Sequence, residues 1–215
     1  MERQGSWLRA VASRRRRAKR LDRARHALDV LARVMELSDP ATSRHGREIA
    51  ALVPRVGRML GLHGDAAEEL ELAAHFHDIG KVAVPDSVLR KPGPLEPHEW
   101  ELMACHVEWG AELLQHLPAC GPVARIVRHH HERYDGSGYP DGLAGDEIPL
   151  ASRIIATCDA YGAMVSDRPY RRALSPAHAL SELRDGAGAQ FDPDAVSAVL
   201  ELTEGAKGAT LTAVV

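Results

Sequence analysis

Apolar residues at helical spacing fill this chain in segments of about 10 to 20 residues, each bounded by proline or glycine. Asp39-Pro40 breaks the first segment, and Thr42 or Ser43 is placed to cap a helix over about 42–60. Gly61 and Gly64 separate it from a helix over about 65–79. Pro85, Pro92, Gly93 and Pro94 mark 81–95 as a loop, and Pro97 suits the first turn of a helix running to about Leu117. A turn at 118–122 leads to a helix over about 123–133. The turn-rich stretch Tyr134 to Gly142 follows, then a helix over about 149–166. Ser175-Pro176 and Asp192-Pro193 each read as a cap followed by a first-turn proline, opening the last two helices. No stretch carries a convincing strand pattern. The expected fold is all-α, a bundle of about seven to eight helices whose functional site lies among facing helices.

Composition narrows the class. At 215 residues, 45% hydrophobic and 27% charged, the chain suits one globular domain. No apolar run approaches the roughly 18 residues of a membrane span, and no secretory leader follows the basic start. Cys105, Cys120 and Cys158 form no C-x-x-C pair, which fits buried thiols in a reducing cytoplasm. Residues 1–37 hold eleven Lys/Arg against four Asp/Glu, whereas the remainder holds sixteen against twenty-six. Leu21, Leu28 and Met35 repeat every seven residues, with Ala24 and Leu31 between them. The pattern allows two uses: a short dimerising or linking helix, or a helix packed on its own domain. The division expected is a basic helical arm at 1–37, the domain at 38–205 and a tail at 206–215, with the arm tuning association or location and taking no part in the site.

Twelve histidines are many for this length, and they point to metal chemistry. His77-Asp78-Ile79-Gly80-Lys81 closes an apolar helical run with an imidazole and a carboxylate side by side, ligand types that divalent metals accept together. Gly80 is the expected helix stop, supplying a left-handed conformation, and Lys81 is a cation placed to meet an anionic substrate. Further candidates fall on other predicted helices: His45, His106, His130, His131 and Asp159. A bundle can direct all of these into one core site. A carboxylate such as Asp78 can bridge two ions, and paired ions suit phosphate-ester hydrolysis by stabilising both attacking and leaving oxygens.

At these residues the chain resembles the HD-GYP family of HD-domain metal phosphohydrolases. His77 to Lys81 matches its first motif, and His130 to Pro140 matches the second, HHExxDGxGYP, at all eight fixed positions. Ser166 to Arg171 matches a third, and Gln190-Phe191-Asp192-Pro193 a fourth. The resemblance implies an HD-domain bundle with a metal centre in its core. It implies hydrolysis of cyclic di-GMP to linear pGpG or GMP by a hydroxide bridging two divalent ions, Fe or Mn. It carries the ligand roles to His45, His77, Asp78, His106, His130, His131 and Asp159, with Asp78 as the bridge. Lys81 approaches a substrate phosphate; Arg168 and Arg171 contact phosphate or guanine; Gly138, Tyr139 and Pro140 shape the substrate edge. Family members with a third ion use a glutamate where this chain has Ala41, so two ions are expected. The family's usual aspartate is replaced by Gly162, one helical turn beyond Asp159, which is expected to affect rate and not metal binding.

Other histidines and aromatics are expected to do less. His75 points to another side of the helix from His77, and His129 is expected beside the site or exposed. His26, His63, His98, His116 and His178 read as surface residues. Phe76, Trp100 and Trp109 read as core, as do Cys105 and Cys158. The chain is thus expected to be a cytoplasmic phosphodiesterase with a cyclic dinucleotide as substrate, and the arm allows a homodimer. The alternatives are a weak module that binds metal or cyclic dinucleotide and signals through a protein partner, a hydrolase of another nucleotide, or a basic arm that tethers the chain to nucleic acid or membrane.

Overall fold

The computed structural model describes residues 24, 26–37, 51–167 and 172–205. Among these the chain is helical, and the only β-type pairing is an isolated bridge between Ala187 and Phe191. The helices are α1 (26–37), α2 (51–59), α3 (Asp65–Phe76), α4 (Asp86–Leu89), α5 (Pro97–Ala104), α6 (His106–Gln115), α7 (Gly121–Arg128), α8 (Leu150–Val165), α9 (Pro176–Asp185) and α10 (Pro193–Gly205). Short 3-10 turns occupy Ile79–Ala83 and Gly145–Glu147. The expected all-α class is what the chain adopts. No described helix is long and apolar enough to cross a membrane.

One continuous core runs through the bundle. Leu70 and Ala74 of α3, Leu114 of α6, Val123 and Val127 of α7, Ile154 and Ile155 of α8 and Leu183 of α9 all belong to it. α7 packs against both α3 and α6, and α8 against α9 and α10. Ser152 Oγ on α8 donates to the Ile126 carbonyl of α7 at 2.8 Å, linking the two halves. Arg153 donates to Asp192 Oδ2 at 2.6 Å and to the Ile148 carbonyl at 3.1 Å. Asp192 is 4% exposed, so truncating Arg153 would strand the Asp192 charge, whereas Arg153 has a second partner in Asp146 Oδ1 at 3.0 Å. Asp192 Oδ1 also caps α10 by accepting from Asp194 N, as Ser175 Oγ caps α9 by accepting from His178 N.

Several boundaries differ from those read in the sequence. The helix expected over 97–117 is two helices, α5 and α6, broken at Cys105. The loop expected over 81–95 contains the end of a 3-10 turn and α4. Gly80 does not end a helix in the left-handed region; it lies inside the 3-10 turn and is absent from the positive-φ residues. Trp100 is 52% exposed where a core residue was expected, because α5 is a surface helix with no buried residue. Phe76 is buried, and Trp109 is half-buried. Cys158 and Cys120 are buried, but Cys105 is only half-buried, and all three thiols are free. Thr42, Ser43 and the rest of 38–50 lie outside the described residues.

The described part of the heptad seam is filled from within the chain; Leu21 lies outside the described residues. Ala24, Leu28 and Met35 are buried in the same core cluster as α3 and α7, with Leu31 packed against it. The helix packs on its own domain, the second of the two uses its periodicity allowed. Fully burying a Leu or Met side chain contributes about 1.5–3 kcal/mol. A protein beginning at Ser38 is therefore expected to lose about 3 kcal/mol or more of stability, read as a lower denaturant midpoint. An unchanged midpoint would return 1–37 to the role of a dispensable arm.

Candidate metal centre

The centre is assembled where three helices end. His77 follows α3, His106 follows the α5 break and His130 follows α7. Each imidazole Nδ1 donates to the carbonyl three residues earlier: His77 to Ala74 at 2.9 Å, His106 to Met103 at 2.8 Å and His130 to Val127 at 2.7 Å. Those carbonyls belong to the last turns of α3, α5 and α7, where a helix leaves acceptors without in-helix partners. The same bond fixes each ring and places the lone pair on Nε2.

These Nε2 atoms converge. Each of the three histidines is 1% exposed, and each Nε2 is buried without a hydrogen-bond partner, as is Asp78 Oδ1. One ligand atom each from Asp78, His106, His130 and His131 lies within 4.8 Å of the others. Asp78 presents its two oxygens to different sides. Oδ1 is 3.4 Å from His106 Nε2, and Oδ2 is 3.4 Å from His77 Nε2. Asp159, on α8, also reaches His77, with Oδ1 3.7 Å from its Nε2. Buried lone pairs with nothing to accept from are costly in a folded protein. A cation among Asp78, His106, His130 and His131 relieves the orphaned atoms of that group, and His77 Nε2 lies beside the second oxygen of Asp78, so this donor set fits a metal.

Charge reinforces the fit. Burial works against the ionised form of Asp78, but Lys81 first, then His77 and His106, hold its carboxyl well below the usual carboxylate range. Burial lowers His106 and His130, and His131 to about 4, leaving three neutral imidazoles able to ligate. Burial also opposes charge on His77, yet with no cation beside them Asp78 and then Asp159 lift it to about 9, so His77 Nε2 becomes a ligand only where a cation takes that proton's place against the two carboxylates. Lys81 Nζ donates to Asp78 Oδ2 at 2.7 Å, so the ammonium sits within the centre and is part-exposed.

Gly80 and Gly138 make the assembly sterically achievable. A Cβ on Gly80 would fall 1.9 Å from the His106 carbonyl oxygen and 2.6 Å from Gly110 N. The glycine lets α6 lie backbone to backbone against the turn, which brings His106 to Asp78. A Cβ on Gly138 would fall 2.2 Å from Arg133 N and 2.5 Å from Glu132 Cα. The following Tyr139 ring stacks on His131 with centroids 5.1 Å apart, and Tyr139 N donates to the His131 carbonyl. Burial, with Asp78 and Asp159, raises the Tyr139 phenol and keeps it protonated. Tyr139, Pro140 and Gly138 are all half-buried beside the cluster.

Sequence reading overlooked the residues that hold this loop. Asp141 accepts from Arg128 Nε at 2.9 Å and Nη2 at 2.8 Å, and its Oδ2 lies 3.0 Å from His129 Nε2. Glu132 Oε1 accepts from Asp141 N at 2.8 Å. Tyr134 N and Asp135 N donate to the Gln190 and Ala189 carbonyls, so the fourth motif braces the second. The only sequence signal was the basic Arg128 one residue before the histidine run. His129 is buried at 7% exposure and serves this latch. His75 is half-buried with its ring edge to Phe76, and His26, His63, His98, His116 and His178 are exposed, His178 beside Glu182. Gly162 lies on α8. Ala41, His45, Arg168 and Arg171 lie outside the described residues.

Comparison with known proteins agrees with this architecture. The family model for the HD domain matches residues 29–195. The cyclic di-GMP phosphodiesterase response regulator RpfG of Xanthomonas campestris pv. campestris is 43% identical over 186 residues, 83% of this chain and 48% of that protein. The 3'3'-cGAMP-specific phosphodiesterase 2 of Vibrio cholerae is 38% identical over 173 residues, 80% of this chain and 33% of that protein. The chain thus spans half or less of the length of these relatives. Among solved structures, the cyclic GMP-AMP specific phosphodiesterase V-cGAP3 of V. cholerae superposes with a TM-score of 0.65 at 20% identity, covering 83% of this chain and 48% of that one. That likeness shows a shared fold. With the family model spanning most of its length and its histidine-aspartate centre built as described, this chain belongs to the HD-domain family, in the HD-GYP branch whose motifs it carries.

Proposed function

We propose that the chain is a metal-dependent phosphodiesterase that opens a cyclic dinucleotide, cyclic di-GMP first, to linear pGpG or GMP. The observation that carries this reading is the set of buried Nε2 lone pairs facing Asp78, each fixed by a backbone bond on Nδ1. Names of the relatives support the substrate class. His77, Asp78, His106, His130, His131 and Asp159 would hold two divalent ions, Fe or Mn by their nitrogen and carboxylate donors, with His45 completing the set. Asp78 would serve both ions, because its two oxygens face His106 and His77 separately. When bound, the ions supply Lewis acidity toward phosphoryl oxygens and a water of lowered pKa.

The remaining roles belong to the chain itself. Lys81 donates ammonium hydrogen bonds to a non-bridging phosphoryl oxygen, where negative charge grows. Gly138, Tyr139 and Pro140 form the wall against which the substrate lies, and Arg168 and Arg171 offer planar donor forks to phosphate or guanine. Lys81→Ala is expected to keep its metals and lose on the order of 2–4 kcal/mol of transition-state stabilisation, about thirtyfold to a thousandfold in rate. Normal turnover at full metal loading would place Lys81 outside the chemistry. A panel of cyclic di-GMP, 3'3'-cGAMP, cyclic di-AMP and a deoxynucleoside triphosphate tests the substrate class. Turnover of the triphosphate alone contradicts it, and tight binding without turnover would favour a signalling module.

A further inference from the structure

Trp100 is the most exposed aromatic ring attached to the site, at 52% exposure. A lone exposed apolar residue carries no message, but this one continues an aromatic file from the centre. The His131 ring lies 5.1 Å from that of His106, and Tyr139 stacks on His131 at 5.1 Å with only 23° between planes. Trp100 then meets Tyr139 edge to face at 6.0 Å and 78°. One face of Tyr139 is therefore covered by His131, and its ring is half-buried. Trp100 is the member of the file with free π surface.

Its position is also fixed in advance. Trp100 sits in the first turn of α5, which opens with Pro97. Glu99 accepts from Glu96 N at 2.7 Å and pairs with Lys91, which ties that turn to the preceding loop. Burial of the apolar face does not explain the ring, because α5 buries no residue.

We propose that Trp100 is a stacking platform for a purine base of the substrate, so that the centre reads the phosphodiester and α5 reads the nucleobase. The inference rests on the cyclic dinucleotide reading above. An indole offers the largest π face of any side chain, and stacking accepts either purine, because every base has a π face. Trp100 would then strengthen binding without choosing between guanine and adenine; that choice falls to hydrogen-bonding groups elsewhere.

The test compares wild type, Trp100→Ala and Trp100→Phe, all metal-loaded, with two ligands. Cyclic di-GMP binding is measured by calorimetry, and hydrolysis is measured with bis(4-nitrophenyl) phosphate, a diester without a nucleobase. Trp100→Ala is expected to weaken cyclic di-GMP binding about tenfold to a hundredfold, the usual scale for one stacked base. It should leave hydrolysis of the small diester near wild type, and Trp100→Phe should recover much of the affinity. Equal affinity in wild type and Trp100→Ala would overturn the inference while leaving the phosphodiesterase reading intact. A parallel loss with both ligands would also overturn it, making Trp100 a support for Tyr139. Wild-type protein that cleaves the small diester but binds no cyclic dinucleotide would overturn the substrate reading, and the platform with it.

Discussion

Asp78→Ala is expected to empty the centre of metal and to lower turnover by about a thousandfold or more, since Lewis-acid stabilisation is worth several kcal/mol. The size follows from position. Asp78 is the residue that touches both sides, with Oδ1 toward His106 and Oδ2 toward His77, and it is 5% exposed. Removing it also strands Lys81, whose ammonium donates to that carboxylate at 2.7 Å. Asp78→Asn separates the two effects, keeping the shape while removing the charge. His106→Ala takes away one ligand on the Oδ1 side only and should weaken one ion more than the other. Elemental analysis of the variants decides: equal loss from Asp78→Ala and His106→Ala would contradict a bridging role for Asp78.

Gly80→Ala should be a highly damaging single methyl group, the added carbon meeting the tightest contact found at any glycine compared. The added carbon would fall 1.9 Å from the His106 carbonyl oxygen and 2.6 Å from Gly110 N, both backbone atoms that no rotamer change can move away. α6 must shift outward, which exposes part of the Ile79 and Val107 packing, both fully buried. Overpacking of this kind costs about 1–3 kcal/mol and occasionally more, and a backbone collision belongs at the upper end. Because His106 opens α6, the shift also moves its Nε2 from Asp78. A fall in denaturant midpoint together with reduced metal content is expected. A stable, fully metal-loaded Gly80→Ala protein would mean that α6 can retreat without disturbing the centre.

The parts of this site that were legible in sequence are the parts that chemistry spells locally. His77-Asp78 and His130-His131 put ligands next to each other, and helical periodicity with proline and glycine breaks revealed an all-α bundle. What escaped depends on neighbours distant in sequence. Gly80 was read as a helix stop, because a left-handed turn is a glycine's commonest local reason; its actual reason is Gly110, thirty positions on, and the His106 carbonyl. The break at Cys105 was invisible, since residues on both sides favour helix, and it takes the fold to use the Met103 carbonyl for His106. Trp100 was read as core, although the helix that carries it buries no residue. The Leu28 and Met35 seam shows the limit of periodicity: it identifies a face but not what covers it, and here the chain's own core does. Arg153 with Asp192, and Arg128 with Asp141, are pairs of residues well separated in sequence that only the fold brings together.

Product chromatography of cyclic di-GMP after incubation with anaerobically purified, metal-reconstituted protein tests the central claim most directly, with metal content determined on the same sample. About two ions per chain, and conversion of the cyclic dinucleotide to pGpG or GMP that stops when the ions are chelated, are the predicted results. Well under one ion per chain after reconstitution, or full loading with the cyclic dinucleotide left intact, would contradict it.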